Sequence, residues 1–481
     1  MHLSNPTKLR AAILFVFLLD ARPLFPQSVP LSPNRPWHAP GGQQIKNDAK
    51  HFWGPTYTID PSKTYSLAEL IDLAEAHNPE TRVAWERARA QLAALGIARS
   101  ELFPTLVAIA LAQADRSEIL FENRFFRQTV LRYEAVLDLQ YIVFDFGARD
   151  GRIEAARAKS LAANFGFNDA HRRVIYQVEQ AFYRLQKSIG EEEAALANLA
   201  NAQTVQQASE ARLKQGLATL PDVLEARSAT AQAQYDLQVV LGAEAVARGD
   251  LATALAVTPT AEIRVPPVSQ AAIPDSIAET VDQAITRALE QRPDLLQQVA
   301  GMRAASAEVK EAHAAYYPVL TVRALPIAHS LYGWQQTHPW ARRADLGGQL
   351  NFRLTWTVFD GGARANTLEQ AEANFRAAEA QVAATRDRIA NEVWTAYSNL
   401  KTALAERRAA IALLDAASQS YAAALESYSY GLRNLLDVTA AQKVLARARS
   451  ADVTARTQVL ATLAELAFAA ADLIQPGAKR P

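Results

Sequence analysis

One stretch of the sequence carries residue types that could bind phosphate. In "TWTVFDGGARANTLEQAEANF", residues 355–375, an alternating apolar and polar run passes through Asp360, Gly361 and Gly362 into a pattern rich in Ala and Glu. A glycine-rich turn that opens a helix is a common phosphate cradle, because the first N–H groups of the helix point at the anion. A nucleotide site is therefore the first hypothesis to test.

A second stretch makes the same transition 215 positions earlier, in "LQYIVFDFGARDGRIEAARAKS". Here Phe146 stands between Asp145 and Gly147, so the first glycine is replaced, and only Gly147 and Gly362 meet a geometric need for glycine. A phosphate loop does not require the alternating run that precedes both turns. The repetition favours a structural joint between a strand and a helix.

The composition excludes several kinds of site. The 481 residues include no Cys, 50 basic and 50 acidic side chains, and 49% hydrophobic residues. Disulfides, thiolate metal sites and a lipid-accepting Cys are therefore absent from this sequence. No HExxH, P-loop, GxSxG or EF-hand pattern occurs. We expect no enzyme activity, no cofactor, no metal and no nucleic-acid partner.

The N-terminus has the pattern of an export signal. Lys8 and Arg10 precede the apolar run "AAILFVFLL", which is too short to span a bilayer as a helix. We predict a signal peptide over residues 1–28, the alternative being a buried N-terminal helix. Residues 29–63 are rich in Pro, Gly and polar residues, and an extended arm with little structure of its own is expected there.

The rest of the chain contains one unit twice. "HNPETRVAWERARAQLAALGIARSELFPTL" aligns with "QRPDLLQQVAGMRAASAEVKEAHAAYYPVL", and further along Gly216 aligns with Gly431. A repeat this long indicates gene duplication rather than a solenoid. We predict two repeats, over residues 64–265 and 266–481.

Each repeat reads as a helix, two strands, a long helix, a turn and another helix. The opening helix is predicted over 66–102, beginning at a capping box at Ser66. Long helices are predicted over 148–214 and 363–429, each a rod of about 100 Å. Apolar residues along them have coiled-coil spacing, and these are Val174, Val178, Ala181, Leu185 and Ile189 with Ile389, Val393, Ala396, Leu400 and Leu404.

The strands alternate strongly between apolar and polar residues. In "TVLRYEAVLDLQYIVFD" and "LGGQLNFRLTWTVFD" one face is apolar and the other carries Arg132, Glu134, Asp138 and Arg353. The length of about ten residues matches a transmembrane β-strand, although a globular sheet with one wet face gives the same alternation. Longer loops are expected at the distal ends, in "SEILFENRFFRQ" and "HSLYGWQQTHPWARRAD".

Four strands cannot close a barrel, and an open sheet edge in lipid leaves backbone groups unsatisfied. Three chains would supply twelve strands, an even number that outer-membrane barrels use, and twelve helices for a wall below. The predicted fold is mainly α with membrane β, in which a duplicated helix-hairpin-long helix-helix unit forms a trimeric 12-stranded β-barrel continued by a 12-helix α-barrel tunnel.

The "FDFGAR" and "FDGGAR" transitions, the "HNPE" and "QRPD" helix starts, and "KQGLATLPDVLEA" with "SYGLRNLLDVTAA" together resemble the TolC-type outer membrane factors. The resemblance covers roughly residues 64–473. It implies a homotrimer in contact with outer membrane lipid, extending into the periplasm of a Gram-negative envelope. It also implies two partners, a periplasmic membrane-fusion adaptor and an inner-membrane transporter.

The turns between the long helices and their successors are the functional candidates. The glycines stop the incoming helix, and Thr219 and Asn434 are suited to cap the outgoing one. By resemblance these turns are periplasmic tips that contact the adaptor, although turn chemistry alone would explain them. The contact set is Gly216, Leu217, Thr219, Gly431, Leu432, Asn434 and Leu435.

The resemblance also places a periplasmic gate beside the tips, formed by Asp222, Arg433 and Asp437. Three symmetry-related copies of Asp437 would form a ring that attracts cations, the alternative being a role in capping the helix. Ala440 stands where some relatives carry a second acidic residue.

The resemblance implies an outer membrane exit duct of a tripartite efflux system, through which small molecules pass passively. Two alternatives remain open, namely the outer membrane component of type I protein secretion and a periplasmic coiled-coil scaffold that never enters a membrane.

Overall fold

A computed structural model describes residues 42–50, 57–270, 272–277, 279–335 and 338–472. The chain divides into two compact units, Met1–Pro55 and Thr56–Pro481. In the first unit, Gly42–Lys50 form helix α1, so the prediction of an extended arm is wrong for these residues. The Pro-rich composition ends at Pro40, and the Gln, Lys and Ala that follow are good helix formers. The predicted signal peptide lies outside the described residues.

The second unit contains two halves with the same order of elements. The first half consists of α2 (Leu67–His77), α3 (Pro79–Ser100), β1 (Thr105–Phe121), β2 (Arg124–Phe144), α4 (Ala148–Lys214) and α5 (Leu220–Ala254). The second half consists of α6 (Val281–Gln291), α7 (Pro293–Ala314), β3 (Val319–Gln335), β4 (His338–Thr355), α8 (Ala363–Ser429) and α9 (Leu435–Ala469).

The opening helix of each half is interrupted, whereas one continuous helix over 66–102 was predicted. Asn78 lies between α2 and α3 with φ −66° and ψ 127°, because a residue that precedes proline avoids the helical region. Arg292 has the same conformation before Pro293. The capping box at Ser66 is confirmed, with the Ser66 N–H donating to Glu69 at 2.9 Å.

The long helices α4 and α8 begin and end where they were predicted, and each has 67 residues. Their predicted seam is buried, except that Ile189 is only partly buried. The seam of α4 packs against α2 and the end of α5, in a cluster that includes Leu70, Ile71 and Leu251. The first three seam residues of α8 pack against α6 and the end of α9, and Leu400 and Leu404 pack in a neighbouring cluster with Val459. Each seam therefore packs in a helical bundle near the middle of its long helix, and neither forms an isolated coiled coil.

The four strands form one antiparallel sheet in the order β1-β2-β3-β4. The strands have 17 to 21 residues, longer than predicted. The distal segments expected to be loops continue the strands, and Phe121 pairs with Arg124 across a two-residue turn. Glu122 and Asn123 have φ 47° and 63°, which is the conformation of a tight hairpin turn whose twist matches the flanking strands.

The register separates the two faces of the sheet as the alternation predicted. One face, here the apolar face, carries no charged side chain over Leu106–Ala114, Leu131–Tyr141, Leu320–Tyr332 and Ala344–Leu354. The opposite, charged face carries Arg132, Glu134, Asp138, Arg323 and Arg353, and Asp138 pairs with Arg323 at 2.7 Å. The uncharged band is thus shorter than the strands that carry it.

Candidate functional site

Two equivalent joints connect a strand to a long helix. In the first joint, Asp145 accepts hydrogen bonds from the backbone N–H and the Nε of Arg149, at 3.0 and 2.9 Å. In the second, Asp360 accepts from the backbone N–H and the Nε of Arg364, at 3.1 and 2.7 Å, and from the Gly362 N–H at 3.1 Å. The carboxylate thus occupies the helix N-terminus that a phosphate would need.

The charge of Asp360 is stabilised by this arrangement. Partial burial would raise the pKa of its carboxyl, but the hydrogen bonds from Arg364 and Gly362 and the positive guanidinium hold the pKa below its ordinary value. An aspartate at a helix N-terminus is also favoured by the helix dipole. The polar groups of the joint are therefore hydrogen-bonded within the chain. This supports a structural joint between a strand and a helix over a phosphate site.

Both positions of each turn adopt positive φ. Gly147 and Gly362 have φ 93° and 91°, while Phe146 and Gly361 have φ 54° and 67°. The φ angles of Gly147 and Gly362, the second position of each turn, are larger than those of the left-handed conformation that other residues tolerate. This position therefore requires glycine. At the first position Phe146 is held by its ring, which stacks on Tyr317 with centroids 4.9 Å apart.

The first tip, residues 215–222, joins α4 to α5. The N–H of Leu217 donates to Arg212 O at 2.8 Å, and Gly216 has φ 72°, which is the helix ending predicted from the glycine. The Asp222 carboxylate accepts from the N–H and the hydroxyl of Thr219 at 2.8 and 2.7 Å. These hydrogen bonds lower the pKa of Asp222.

The second tip, residues 430–437, joins α8 to α9. The N–H of Leu432 donates to Ser427 O at 2.9 Å and Gly431 has φ 76°. Asn434 caps α9, because its Oδ1 accepts from the Asp437 N–H at 2.9 Å. Among the residues that the structure describes, the Asp437 carboxylate has no hydrogen bond or ion pair, so it differs from that of Asp222.

The predicted contact residues differ in accessibility. Leu217 and Leu432 are 63% and 79% exposed, and Thr219, Arg433 and Asn434 are also exposed. Leu435 is only 2% exposed, so the prediction that it contacts a partner is wrong. It packs in a cluster with Tyr421, Tyr428 and Val438, where the first turn of α9 meets the last turns of α8.

One residue that sequence reasoning missed links the helices that lead into the two tips. Arg212, in the last turn of α4, donates through Nη1 to Tyr428 O at 2.6 Å and to Ser429 O at 3.3 Å. These are carbonyls at the C-terminal end of α8, where a cation is favoured. A basic residue in the last helical turn was visible in the sequence, but its partners lie 216 and 217 positions away.

A second missed feature is a partly buried ionic cluster where α4, α7 and α8 meet, in which Arg172 and Arg292 are buried and Arg388 is exposed. Asp294 pairs with Arg292 at 2.8 Å, with Arg388 at 3.2 Å and with Arg172 at 3.7 Å. Burial alone would raise the pKa of Asp294, but these arginines hold it at about 2. The sequence signal for this cluster is the "RPD" string at the helix start of the second repeat.

The described residues contain neither a metal-binding cluster nor a membrane-spanning helix. No group of three or more His, Asp or Glu side chains there could hold a metal ion. In the same part of the chain, no helix has both the length and the apolar character needed to cross a bilayer.

Comparison with known proteins identifies the family. Residues 70–257 and 284–472 match the family model described as outer membrane efflux protein. The chain is similar to protein CyaE of Bordetella pertussis, at 28% identity over 342 residues, which cover 71% of this chain and 70% of that protein.

Solved structures share the fold. The outer membrane protein VceC of Vibrio cholerae matches with a TM-score of 0.71 and 22% identity, over 84% of this chain and 95% of that one. The CmeC outer membrane channel of Campylobacter jejuni matches with a TM-score of 0.70 and 18% identity, over 84% and 85% of the two chains. The two segments matched by the family model cover more than half of the sequence, and the chain belongs to the outer membrane efflux protein family.

Proposed function

We propose that three copies of this chain form a passive exit duct, in which a 12-stranded barrel crosses the outer membrane and a 12-helix tunnel extends into the periplasm. An inner-membrane transporter supplies the energy, and a periplasmic membrane-fusion adaptor connects it to the tips. The duct contributes a path and a gate for small molecules.

The observation that carries this proposal is the sheet itself. Within the part of the chain that the structure describes, its order leaves one edge of β1 and one edge of β4 without a strand partner. Its apolar face suits lipid, but the edge N–H and C=O groups would each cost several kcal/mol there without a partner. Pairing β4 of one copy with β1 of the next satisfies both edges, and three copies give an even-stranded closed barrel.

The packing of the long helices also supports a closed ring of three copies. Helix α4 packs against α3 and α5 of its own half and against α7 and α9 of the other half. The helices that pack extensively against α8, namely α6, α7 and α9, all belong to its own half. A second copy that presents its α3 and α5 to α8 would repeat the environment of α4.

Equivalent positions on α4 and α8 have different exposure. Gly151 is buried where a Cβ would lie 2.8 Å from Glu311 N, and Gly190 is buried where it would lie 2.7 Å from Val453. The matching residues of α8, Asn366 and Ala405, are exposed.

Apolar side chains are exposed on the elements that would cover this flank. They lie on α3 and α5, and they are Val83, Leu92, Ile97, Tyr235, Val239 and Val246. Because the two flanks are different surfaces, the contact is heterologous, and such a contact closes into a ring when the rotation fits.

Within the closed assembly the charged face of the sheet would line a wet lumen. The tips would lie at the periplasmic end, where Leu217 and Leu432 are available to the adaptor. Asp437 would form the cation-attracting ring at the gate, with Arg433 beside it. The unpartnered carboxylate of Asp437 supports a role in the ring over a role in capping.

Oligomeric mass and conductance test the proposal. The protein in detergent should have about three times the mass of one chain, migrate differently when heated, and give discrete conductance steps in planar bilayers. Ala405→Trp on the exposed flank of α8 should break the trimer and abolish conductance. Ser418→Trp is the control, because Ser418 and its α4 counterpart Gln203 are both exposed.

A protein that stays soluble without detergent and forms no pores would contradict the channel and favour the periplasmic scaffold. Trimers that persist unchanged in Ala405→Trp would contradict the packing. Accumulation of a small dye in cells that lack the protein, restored to normal by the wild type, supports small-molecule export. Loss of a secreted protein without dye accumulation would favour type I secretion instead.

A further inference from the structure

The apolar face of the sheet ends at one level across all four strands. Ala114, Leu131, Tyr332 and Arg342 lie side by side in register. Below this row, toward the joints, the described side chains of the face are uncharged over the ranges given above. Tyr133 and Tyr332 meet edge to face with centroids 5.9 Å apart, a position typical of aromatic residues at a membrane interface.

Three arginines lie on the same face at or beyond this row. Arg116 is two residues beyond Ala114, Arg127 pairs in register with Glu118, and Arg342 pairs with Tyr332. All three are exposed. The guanidinium of Arg342 lies 5.3 Å from the centre of the Tyr332 ring, which orients it along the face.

The positive charge of this face is not neutralised within the chain. Among its described residues Glu118 is the one acidic side chain at this level, and it lies 3.7 Å from Arg127 with both side chains more than half exposed. Such a surface pair is weak. Arg116 and Arg342 form no ion pair with any residue that the structure describes.

The charged face behaves differently at the same height. There Arg132 lies 3.5 Å from Glu134 and Arg343 lies 3.1 Å from Asp345. Neighbouring residues such as Arg342 and Arg343 point to opposite faces because side chains alternate along a strand. The excess of positive charge therefore belongs to the face that would meet lipid.

We infer that Arg116, Arg127 and Arg342 form a binding surface for the phosphate groups of a phosphorylated glycolipid in the outer leaflet. This inference rests on the proposed function, because it needs the barrel in the outer membrane with its hairpin ends outward. Guanidinium groups match phosphate oxygens with two parallel hydrogen bonds. Arginines placed directly above an uncharged band meet phosphate at the depth of a lipid headgroup.

The test compares two triple variants with the same change in charge. Arg116→Gln, Arg127→Gln and Arg342→Gln together remove the proposed binding surface, and this triple variant is called the outward variant. Arg124→Gln, Arg132→Gln and Arg343→Gln together remove three arginines from the charged face and serve as the control. Binding of diphosphoryl lipid A to each trimer in a neutral detergent with EDTA is measured by native mass spectrometry, with dephosphorylated lipid A and inorganic phosphate as competitors.

The wild type and the control should bind diphosphoryl lipid A with similar affinity, and the outward variant should bind at least about tenfold more weakly. Dephosphorylated lipid A and inorganic phosphate should compete poorly. Equal affinity of the two triple variants, or equal binding of the phosphorylated and dephosphorylated lipids, overturns the inference. Effective competition by inorganic phosphate alone assigns the surface to free anions and also overturns it.

Conductance of the same preparations separates this inference from the proposed function. Both triple variants should form channels, because the proposed pairing of β4 with β1 between copies uses backbone N–H and C=O groups, which these side-chain substitutions leave in place. A wild type that binds the lipid selectively but never conducts contradicts the channel and leaves the lipid surface supported. A wild type that conducts but shows no preference for the phosphorylated lipid contradicts the surface only.

Discussion

The guanidinium of Arg212 lies over the ring of Tyr428, 4.7 Å from its centre, and donates to the Tyr428 carbonyl at 2.6 Å. The end of α4, which leads into the first tip, is thereby fastened to the end of α8, which leads into the second tip. The residue equivalent to Arg212 in the second half is Ser427, so this connection is made in one direction only.

Arg212→Ala should loosen the C-terminal turn of α8, because two backbone carbonyls lose a charged donor. Such a hydrogen bond contributes about 1.5–3 kcal/mol. Hydrogen exchange of the amides of residues 427–432 should accelerate by tenfold or more. Lys214→Ala, an exposed substitution two residues away, is the control. Unchanged exchange in Arg212→Ala would show that the cluster around Tyr428 holds this turn without the arginine.

The two glycines of the second joint should respond differently to alanine. Gly362→Ala places a side chain at φ 91° and Gly361→Ala at φ 67°. We expect a loss of about 2 kcal/mol or more for the first and about 1 kcal/mol for the second. Thermal unfolding of the two variants in detergent measures the difference. Equal losses would mean that the backbone relaxes at Gly362 and that φ does not set its requirement.

The helical framework was largely predictable, because it depends on local signals. The bounds of α4 and α8 follow from glycine turns and a regular apolar seam, and the alternation of β2 and β4 assigns each residue to a face. The hairpin turn was missed because Glu122 and Asn123 lie within an aromatic and charged run and lack the glycine that usually marks such a turn. The break at Asn78 follows from the Asn-Pro pair, because the residue before proline avoids the helical region.

The site residues were harder to judge, because burial and pairing depend on contacts between distant segments. Leu435 and Leu220 occupy equivalent positions, yet Leu435 is buried by Tyr421 and Tyr428 whereas Leu220 is exposed. Neither that asymmetry nor the link from Arg212 to α8 can be read from spacing along one helix.

Exposed leucines at the tips should be needed for export but not for assembly. Replacing Leu217 and Leu432 by Glu should abolish export, since a buried carboxylate without a partner is costly in an apolar contact, while trimers and bilayer conductance persist. Leu196→Glu is the control, because Leu196 is also exposed on α4 but lies about 30 Å from the first tip along the helix. Normal export by the double variant would refute the adaptor contact.

Substitutions of Asp437 and Asp222 should have different effects, because one residue is proposed to act in the gate and the other caps a helix. Asp437→Asn should weaken block of the channel by a trivalent cation such as hexamminecobalt, because it removes three unpartnered carboxylates from the proposed ring. Asp222→Asn should instead speed hydrogen exchange in the first tip, since it weakens the bonds to Thr219. Single-channel recording with increasing cation concentration measures the first effect. A block unchanged by Asp437→Asn would remove Asp437 from the gate.

The acid sensitivity of the protein should depend on Asp294. Its pKa is about 2 in the folded chain, against an ordinary value of 3.8. A lowered folded-state pKa means that the carboxylate contributes stability above pH 4, and that this contribution disappears as the pH falls toward 2. The pH-dependent part is roughly 2 kcal/mol for a shift of this size.

Asp294→Asn should therefore flatten the fall in melting temperature between pH 4 and pH 2. At pH 7 it should lower the free energy of unfolding by roughly 1.5–3 kcal/mol, because Arg292 loses a charged hydrogen-bond partner, while Arg172 still pairs with Asp169 and Arg292 with Glu392. Asp275→Asn is the control, since Asp275 pairs with Arg407 but its side chain is 93% exposed, and its acid profile should match the wild type. An Asp294→Asn profile as steep as the wild type would assign acid unfolding to other carboxylates, and the cluster would then stabilise the junction of α4, α7 and α8 without sensing pH.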